Sequence, residues 1–550
     1  MDASASAFPA AVAWTVGGLL LVVAVTGLAR RVGWSAPLVL VAVGVGAAFL
    51  PFTPEVKLDP EVVLVGVLPA LLFAAALQTS FLEVRTRGDS ILTLSVGLVL
   101  FSVVVIGLAT TWLIGTALPG MTIAAGLAFG AILAPTDAVS VGALAGSGRL
   151  PRRLGSLLEG EGLLNDATAL VSLNTAIAAI SGPQGGFGNA FRDFALAVVG
   201  GIGAGVVITW VIVRVRRRLK APVLDTSISL ATPYVTYLPA AQIHGSGFLA
   251  VVLAGIWLGY RAPSFQSAES RIAERINWRT VSFLLENAVF LLIGLQLPRI
   301  VVAAAETRIG FLQGALIIAG IYVAMVVARF AWVLAATVLY RFGPERLRER
   351  RWDWRTAFVI SFAGVRGVVT LAAVFLLPPQ TPAVGFLQLA AFVIVVLSLL
   401  QGLGTGPLVR LLRLPLPNPD QDRMQIRTLI AEAQSAAIER LEQERTEDDP
   451  EELVSGLRNS ARYRVAIGTT DEQGMTRMPD QYARLRLLML DSERKAVMDA
   501  RREGRYEESV INAVLGDFDS IETAMKRSYR RDVAKAAPPP RRPDRLRRRG

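Results

Sequence analysis

Glu161, Asn165 and Asp166 stand inside a run that is otherwise apolar as far as about residue 180, in the stretch Glu159-Gly-Glu161-Gly-Leu-Leu-Asn165-Asp166-Ala-Thr168. An ionised side chain at the middle of a bilayer costs a few kcal/mol or more, so it faces a cavity, finds a partner or titrates. Glu161 and Asn165 are spaced to share one helix face, while Asp166 is turned from Asn165 by roughly 100°. One helix therefore offers two acids that point in different directions. One can be held in an ion pair while the other stays free to exchange a proton for a metal ion. Glu159, at the start of the run, reads as an acid favoured by the helix N-terminus, or as part of an ion pathway.

Two further interruptions fall in apolar runs. In Pro135-Thr136-Asp137, the proline removes a backbone donor and disfavours helix at the residue before it. Carbonyls freed by such a break can act as cation ligands, and Thr136 adds an oxygen. The competing reading of Asp137 is a kinked helix end near the cytoplasmic interface. In Gly364-Val-Arg366-Gly367 an arginine that cannot deprotonate needs a counter-ion, and Glu161 is the expected partner. Arg329 is the rival for that role. Its place along its own run lets it snorkel towards the cytoplasm, which favours an anchoring role. Glu286 and Asn287 form another polar pair in an apolar run, suited either to an ion funnel or to helix packing. The three interruptions are expected to form one site. The chain has no cysteine and one histidine, His244. Oxygen donors alone suit a hard cation such as Na+.

These residues need helices in a membrane to position them. The chain has 550 residues, of which 53% are hydrophobic and 18% charged, and its mean hydropathy is +0.49. A soluble protein carries roughly a quarter charged residues. Repeated apolar runs of about twenty residues point to an all-α polytopic membrane protein. About thirteen spans are expected: 10–29, 35–53, 61–79, 91–115, 121–145, 154–180, 190–213, 225–241, 245–260, 279–298, 309–340, 354–378 and 384–412. The eighth and ninth are separated only by Gln242-Ile-His-Gly. No cleaved signal peptide is expected.

The net charge of +12 follows the loops rather than a nucleic-acid face. Loops after odd-numbered spans carry Arg30 and Arg31, Arg85 and Arg87, Arg149 to Arg153, Arg214 to Lys220, Arg261 to Arg279 and Arg341 to Arg355. Loops after even-numbered spans carry Lys57, Arg192, Arg299 and Arg308. The positive-inside rule then places the N-terminus outside and the C-terminus in the cytoplasm. The transmembrane part is expected over 1–415. A polar, helical and partly disordered cytoplasmic tail is expected over 416–550, with amphipathic stretches near 422–445 and 476–533 and a basic end suited to anionic lipid headgroups. The interrupted fifth and twelfth spans run in opposite directions, which suits inverted repeats with broken helices crossing near the midplane. Asp225 reads as a helix cap and His244 as an outer-loop residue. Gly200-Gly201-Ile-Gly203-Ala-Gly205 reads as helix packing. No P-loop pattern supports ATP-driven pumping.

Leu133-Ala-Pro-Thr-Asp137-Ala-Val, Glu161-Gly-Leu-Leu-Asn165-Asp166, Glu286-Asn-Ala-Val-Phe and Ala363-Gly-Val-Arg366-Gly, in this order, resemble the monovalent cation:proton antiporter-1 family, the bacterial Na+/H+ exchangers. The resemblance covers roughly 10–413. It implies a plasma-membrane homodimer of thirteen-helix protomers that works by alternating access, needs no cofactor and is not an enzyme. It implies that Asp166 carries either the cation or a proton, that Asn165 orients it, that Thr136 and Asp137 line the Na+ site with it, and that Glu161 pairs with Arg366. Asn-Asp in place of two adjacent acids implies electroneutral exchange, serving pH and sodium homeostasis.

Three positions depart from the family pattern. Gly162 replaces a frequent serine, Ala74 a frequent acid, and Ala138 a frequent proline. The first two bear on Na+ versus K+ preference, so a K+/H+ exchanger is the alternative. An intramembrane aspartyl protease using Asp137 and Asp166 would need a shared proton; the sequence lacks its Gly-x-Gly-Asp pattern and leaves Arg366 without a role. A cation channel or sensor would predict passive flux that survives Asp166→Asn.

Overall fold

The computed structural model describes residues 3–51, 61–79, 88–137, 151–181, 187–219, 221–307, 309–342, 352–415 and 419–444, with short pieces elsewhere up to 499. Among them the secondary structure is helical and no strand occurs. Lipid offers no partner to a backbone N–H or C=O, and a helix satisfies both within the segment. In chain order the helices are α1 (Ala3–Val32), α2 (Ala36–Ala48), α3 (Val62–Gln78), α4 (Gly88–Gly115), α5 (Ile123–Leu133), α6 (Arg152–Ser181), α7 (Phe187–Arg216) and α8 (Pro222–Gln242). They continue with α9 (Gly247–Phe265), α10 (Ala268–Ala305), α11 (Phe311–Phe342), α12 (Trp354–Phe362), α13 (Val368–Ala373), α14 (Val384–Leu403), α15 (Thr405–Leu411) and α16 (Pro419–Glu444). Among the described residues, eight stretches are long and apolar enough to cross a membrane, and α2, α3 and α5 are shorter apolar helices.

Local sequence sets several of these boundaries. The Thr122 hydroxyl accepts from the Ala125 N–H and starts α5. Ser246 and Ser267 cap α9 and α10 in the same manner, and Asp353 accepts from the adjacent Trp354 N–H at the start of α12. Pro222 sits at the first position of α8, where its fixed φ suits the helix and its missing N–H is no loss. The short gap between the eighth and ninth spans is a true break: α8 and α9 are separate, and His244 turns the chain with φ 58°.

Helix α11 shows the inverted patterning of a membrane helix. Leu316, Val323, Val327 and Leu334 are exposed on one side, while Ile321, Met325 and Arg329 are buried on the other. Close backbone approach occurs where α2 crosses α10. A Cβ on Gly44 would lie 2.4 Å from the Leu291 carbonyl, and one on Gly294 would lie 2.4 Å from the Val41 carbonyl. Only glycine fits such a crossing.

The ends of α7, α8, α9 and α10 are tied by buried polar side chains. The Arg216 Nε donates to Asp225 Oδ1 at 2.8 Å, and its Nη2 donates to Asp225 Oδ2 at 3.0 Å and Glu274 Oε1 at 2.9 Å. Gln266 donates to both carboxylates, and the Ser229 hydroxyl donates to Glu274. Asp225 therefore does not cap α8: no side-chain cap bond is made there, and its carboxylate is taken by Arg216.

Two of the expected spans are interrupted. Helix α5 ends at Leu133, and Pro135 to Asp137 continue without helix. The remainder of that expected span, 138–145, lies outside the described residues. Helices α12 and α13 are separated by the non-helical stretch 363–367. The chain divides into two compact units, Met1–Pro417 and Asn418–Gly550. The second contains α16, which carries an exposed Arg440–Glu444 pair one turn apart. The amphipathic stretch expected over 476–533 lies largely outside the described residues.

Candidate ion-binding site

The two interruptions meet. The Asp137 N–H donates to the Val365 carbonyl at 2.8 Å, so the non-helical stretch after α5 is joined to the one between α12 and α13. Gly367 makes this approach possible. A Cβ there would lie 2.5 Å from the Asp137 Cγ and 2.6 Å from its Oδ2. Asp137 is thus set against the second break rather than at a solvated helix end, and it is half-buried.

Helix α6 passes alongside and supplies three polar side chains. Asn165 donates through Nδ2 to the Thr136 carbonyl at 3.0 Å and to its hydroxyl oxygen at 2.8 Å. The Thr136 hydroxyl in turn donates to Glu161 Oε1 at 3.0 Å. The carbonyl that the proline break frees at Thr136 is therefore engaged by Asn165. Glu161, only 1% exposed, is the centre of a bidentate pair. Arg329 donates from Nη1 to Oε1 at 2.6 Å and from Nη2 to Oε2 at 3.0 Å. Its Nε donates to the Ile360 carbonyl at 3.0 Å, at the end of α12.

This corrects the expected pairing of Glu161 with Arg366. Arg329 does not snorkel; it is 3% exposed and points into the protein from the buried side of α11. Its Nε is held on the Ile360 carbonyl of α12, and from there its planar guanidinium fills both carboxylate oxygens of Glu161. Arg366 is 2% exposed, and its Nε and Nη1 have no hydrogen-bond partner. A buried charge without a direct partner is costly. It is placed near enough to Asp166 for the two to attract.

Asp166 is 8% exposed. Among the described residues no side chain hydrogen-bonds its carboxylate or pairs with it directly. It lies within electrostatic reach of Asp137 and Arg366. The Asn165 Oδ1 is likewise buried without a partner. The two acids of α6 thus differ in kind. Glu161 is saturated by a guanidinium and a hydroxyl, and Asp166 is open. Buried acceptors of this sort, an amide oxygen and a carboxylate, are ligands for a hard cation.

The remaining predicted residues lie at the margin of this cluster. Glu286 is half-buried on α10 and within electrostatic reach of Asp137. Asn287 points elsewhere. It donates to the Phe283 carbonyl at 2.7 Å within α10, and its Oδ1 faces the Thr26 hydroxyl of α1 at 3.4 Å, which is a helix-packing contact. Glu159 is carried on α6, and its side chain lies outside the described residues, as does Ala138. Ala74 and Gly162 are both buried. Sequence reasoning passed over Ser398 and Gln401 of α14 and Tyr322 of α11, which hold the second break. The available signal was two polar residues one turn apart in the apolar run of α14.

Comparison with known proteins gives the same direction. A family described as "Sodium/hydrogen exchanger, transmembrane" matches residues 18–411. The uncharacterised Na+/H+ exchanger YjcE of Escherichia coli is 31% identical over 93% of this chain and 98% of its own length. A Bacillus subtilis protein named a sodium, potassium, lithium and rubidium/H+ antiporter is 34% identical over 66% of this chain and 55% of its own. Among solved structures, the sodium proton antiporter MjNhaP1 of Methanocaldococcus jannaschii matches with a TM-score of 0.60 at 18% identity, covering 73% of this chain and 98% of that one. At that identity the likeness concerns the fold. With a family match over most of its length and a full-length relative, this chain belongs to the sodium/hydrogen exchanger family of membrane antiporters.

Proposed function

We propose that the chain exchanges Na+ for H+ at Asp166, one for one, by alternating access across the cell membrane, in the service of pH and sodium homeostasis. The observation that carries this reading is the contrast between the two acids of α6. Glu161 is locked by Arg329 and Thr136. Asp166 is buried but open, beside the unpartnered Asn165 oxygen. A carboxylate that binds a cation in one half-cycle and a proton in the other has to be free of fixed partners. Asp137 and Thr136 line the same crossing, and Arg366 offsets part of the negative charge around Asp166. The neutral amide of Asn165 leaves one free carboxylate on α6, so one charge is carried in each direction and the cycle is electroneutral.

A K+-preferring exchanger is the second reading. It is favoured by the Bacillus relative, whose name includes potassium. It is favoured too by Ala74 and Gly162, which supply no side-chain oxygen where a small ion would use one.

The test is exchange in proteoliposomes. A preset pH gradient is followed with a pH dye while Na+, K+ or Li+ is added, with and without a clamped membrane potential. Na+ is expected to dissipate the gradient, the potential to have no effect, and Asp166→Asn to be silent while it folds and melts like the wild type. A response to K+ alone moves the reading to the second one. Transport by Asp166→Asn at the wild-type rate sinks the mechanism.

A further inference from the structure

The stretch 363–367 leaves backbone groups without helical partners, and most of them are met by named atoms. At the end of α12, the Val359 carbonyl accepts the Ala363 N–H at 2.8 Å. The Ile360 carbonyl accepts from Arg329, as described. The Phe362 carbonyl accepts from Gln401 Nε2 at 2.7 Å. Beyond the helix, the Ala363 carbonyl takes the Val365 N–H at 2.9 Å, and the Val365 carbonyl takes the Asp137 N–H at 2.8 Å. The Arg366 N–H donates to the Ser398 hydroxyl at 2.9 Å, and that hydroxyl donates to the Val395 carbonyl at 2.8 Å. Gln401 is itself held, since the Tyr322 hydroxyl donates to its Oε1 at 2.5 Å. Tyr322 and Arg329 lie two turns apart on one face of α11, so the same helix steadies both caps.

Ser398 and Gln401 are one turn apart on α14 and grip the break at both sides. One accepts a freed N–H, and the other donates to a freed C=O. A helix terminus left open in the interior needs such partners. The register they impose decides two features of the site. It aims the Val365 carbonyl at Asp137, and it fixes the backbone from which the Arg366 guanidinium reaches towards Asp166.

We infer that Ser398 and Gln401, with Tyr322 behind Gln401, are positioning residues for cation binding: they hold the unwound 363–367 stretch in the register that joins it to Asp137 and so sets that carboxylate beside Asp166. This rests on the exchange reading above. None of the three touches the cation. Their effect is on how well the site is formed, so it falls on apparent cation affinity rather than on the amount of folded protein.

The experiment uses the full chain in proteoliposomes and in detergent. Gln401→Leu and Ser398→Ala are expected to raise the apparent KM for the cation that the wild type exchanges by about fivefold or more, the scale of one lost buried hydrogen bond, with the maximal rate per folded protein within about twofold. Ser398→Thr keeps the acceptor and keeps the wild-type KM. Tyr322→Phe moves KM in the same direction and adds nothing on top of Gln401→Leu, because it acts through that amide. Hydrogen exchange of the 363–367 amides, followed by mass spectrometry, is expected to speed up in Gln401→Leu and Ser398→Ala. Unchanged KM in both variants, or amide exchange as slow as in the wild type, overturns the inference. A wild type that exchanges no cation, with faster amide exchange still seen in the variants, sinks the transport reading and leaves the grip of α14 on the break in place.

Discussion

Glu161 and Asp166 lie five positions apart on one helix, yet their surroundings give them opposite characters. Glu161 meets a guanidinium in fork geometry at 2.6 and 3.0 Å. Replacing Arg329 by glutamine would leave a buried carboxylate with only the Thr136 hydroxyl, a loss of about 3–5 kcal/mol. We expect Arg329→Gln to lower the melting temperature of the purified protein sharply. Arg366→Gln removes no direct bond, so its melting temperature should stay close to that of the wild type. Its effect should fall on transport instead. Without the positive charge near Asp166, the apparent KM for the cation should decrease at alkaline pH, where protons compete least. Equal destabilisation by the two substitutions would contradict the pairing. The acids, the amide and both arginines were legible in the sequence as charged and polar groups that lipid does not tolerate. The partner was not. Which guanidinium reaches Glu161 depends on how α11 is rotated against α6, and residue spacing within a run carries no information about that rotation.

Between elements, the sequence announces breaks more clearly than joins. Pro135 and the glycines around Arg366 mark where helix stops. That the two stops meet through the Asp137 N–H and the Val365 carbonyl is a property of packing. The same holds for the π-helical turns Val62–Val67 in α3 and Thr93–Gly97 in α4, whose residues give no local warning. Their widened turns are met from neighbouring helices. Tyr234 donates to the Gly66 carbonyl at 2.8 Å, and Trp332 donates to the Thr93 carbonyl at 3.0 Å. Arg216 is the sharpest case. It stands in an arginine-rich stretch that reads as a solvated loop, and it is 1% exposed between Asp225 and Glu274. Residues from α7, α8, α10 and the end of α9 meet there. Asp225 sits in the first turn of α8, where the helix dipole favours negative charge, Arg216 ends α7, where it favours positive charge, and Glu274 reaches the same guanidinium from the second turn of α10. Arg216→Met would bury two carboxylates without a cation. The expected cost is about 3–5 kcal/mol, read as a lower melting temperature. Asp225→Asn should cost less, because Glu274 still holds the guanidinium. A melting temperature unchanged in Arg216→Met would show that the cluster does not fasten these helices.

At the scale of the whole molecule the orientation remains the strongest consequence of sequence alone, and it can be tested without disturbing the site. Arginines crowd the loops after odd-numbered spans, and on that ground we propose that those loops face the cytoplasm. The assignment depends on α8 and α9 being two crossings, because a single crossing there would invert every later loop. Their separation at Gln242 and His244 is consistent with two. The chain has no cysteine, so a single introduced thiol reports its own side without background. Thr116 follows α4, Arg218 follows α7, Gln242 ends α8 and Arg261 lies near the end of α9, and all four are exposed. In intact cells, a membrane-impermeant maleimide should label Thr116→Cys and Gln242→Cys at once. It should label Arg218→Cys and Arg261→Cys only after the membrane is opened. Labelling of Arg218→Cys from outside would invert the whole orientation, because that loop is the most arginine-rich of the short ones. Protection of Gln242→Cys, with Arg218→Cys also protected, would mean that α8 does not cross. The loops beyond α9 would then face the opposite side, and the two broken helices would no longer run antiparallel through the membrane. Asp137 meets Val365 and Gly367 where α5 and the α12–α13 pair break, so that one accessible residue tests whether the two broken helices enter the ion site from opposite sides of the membrane.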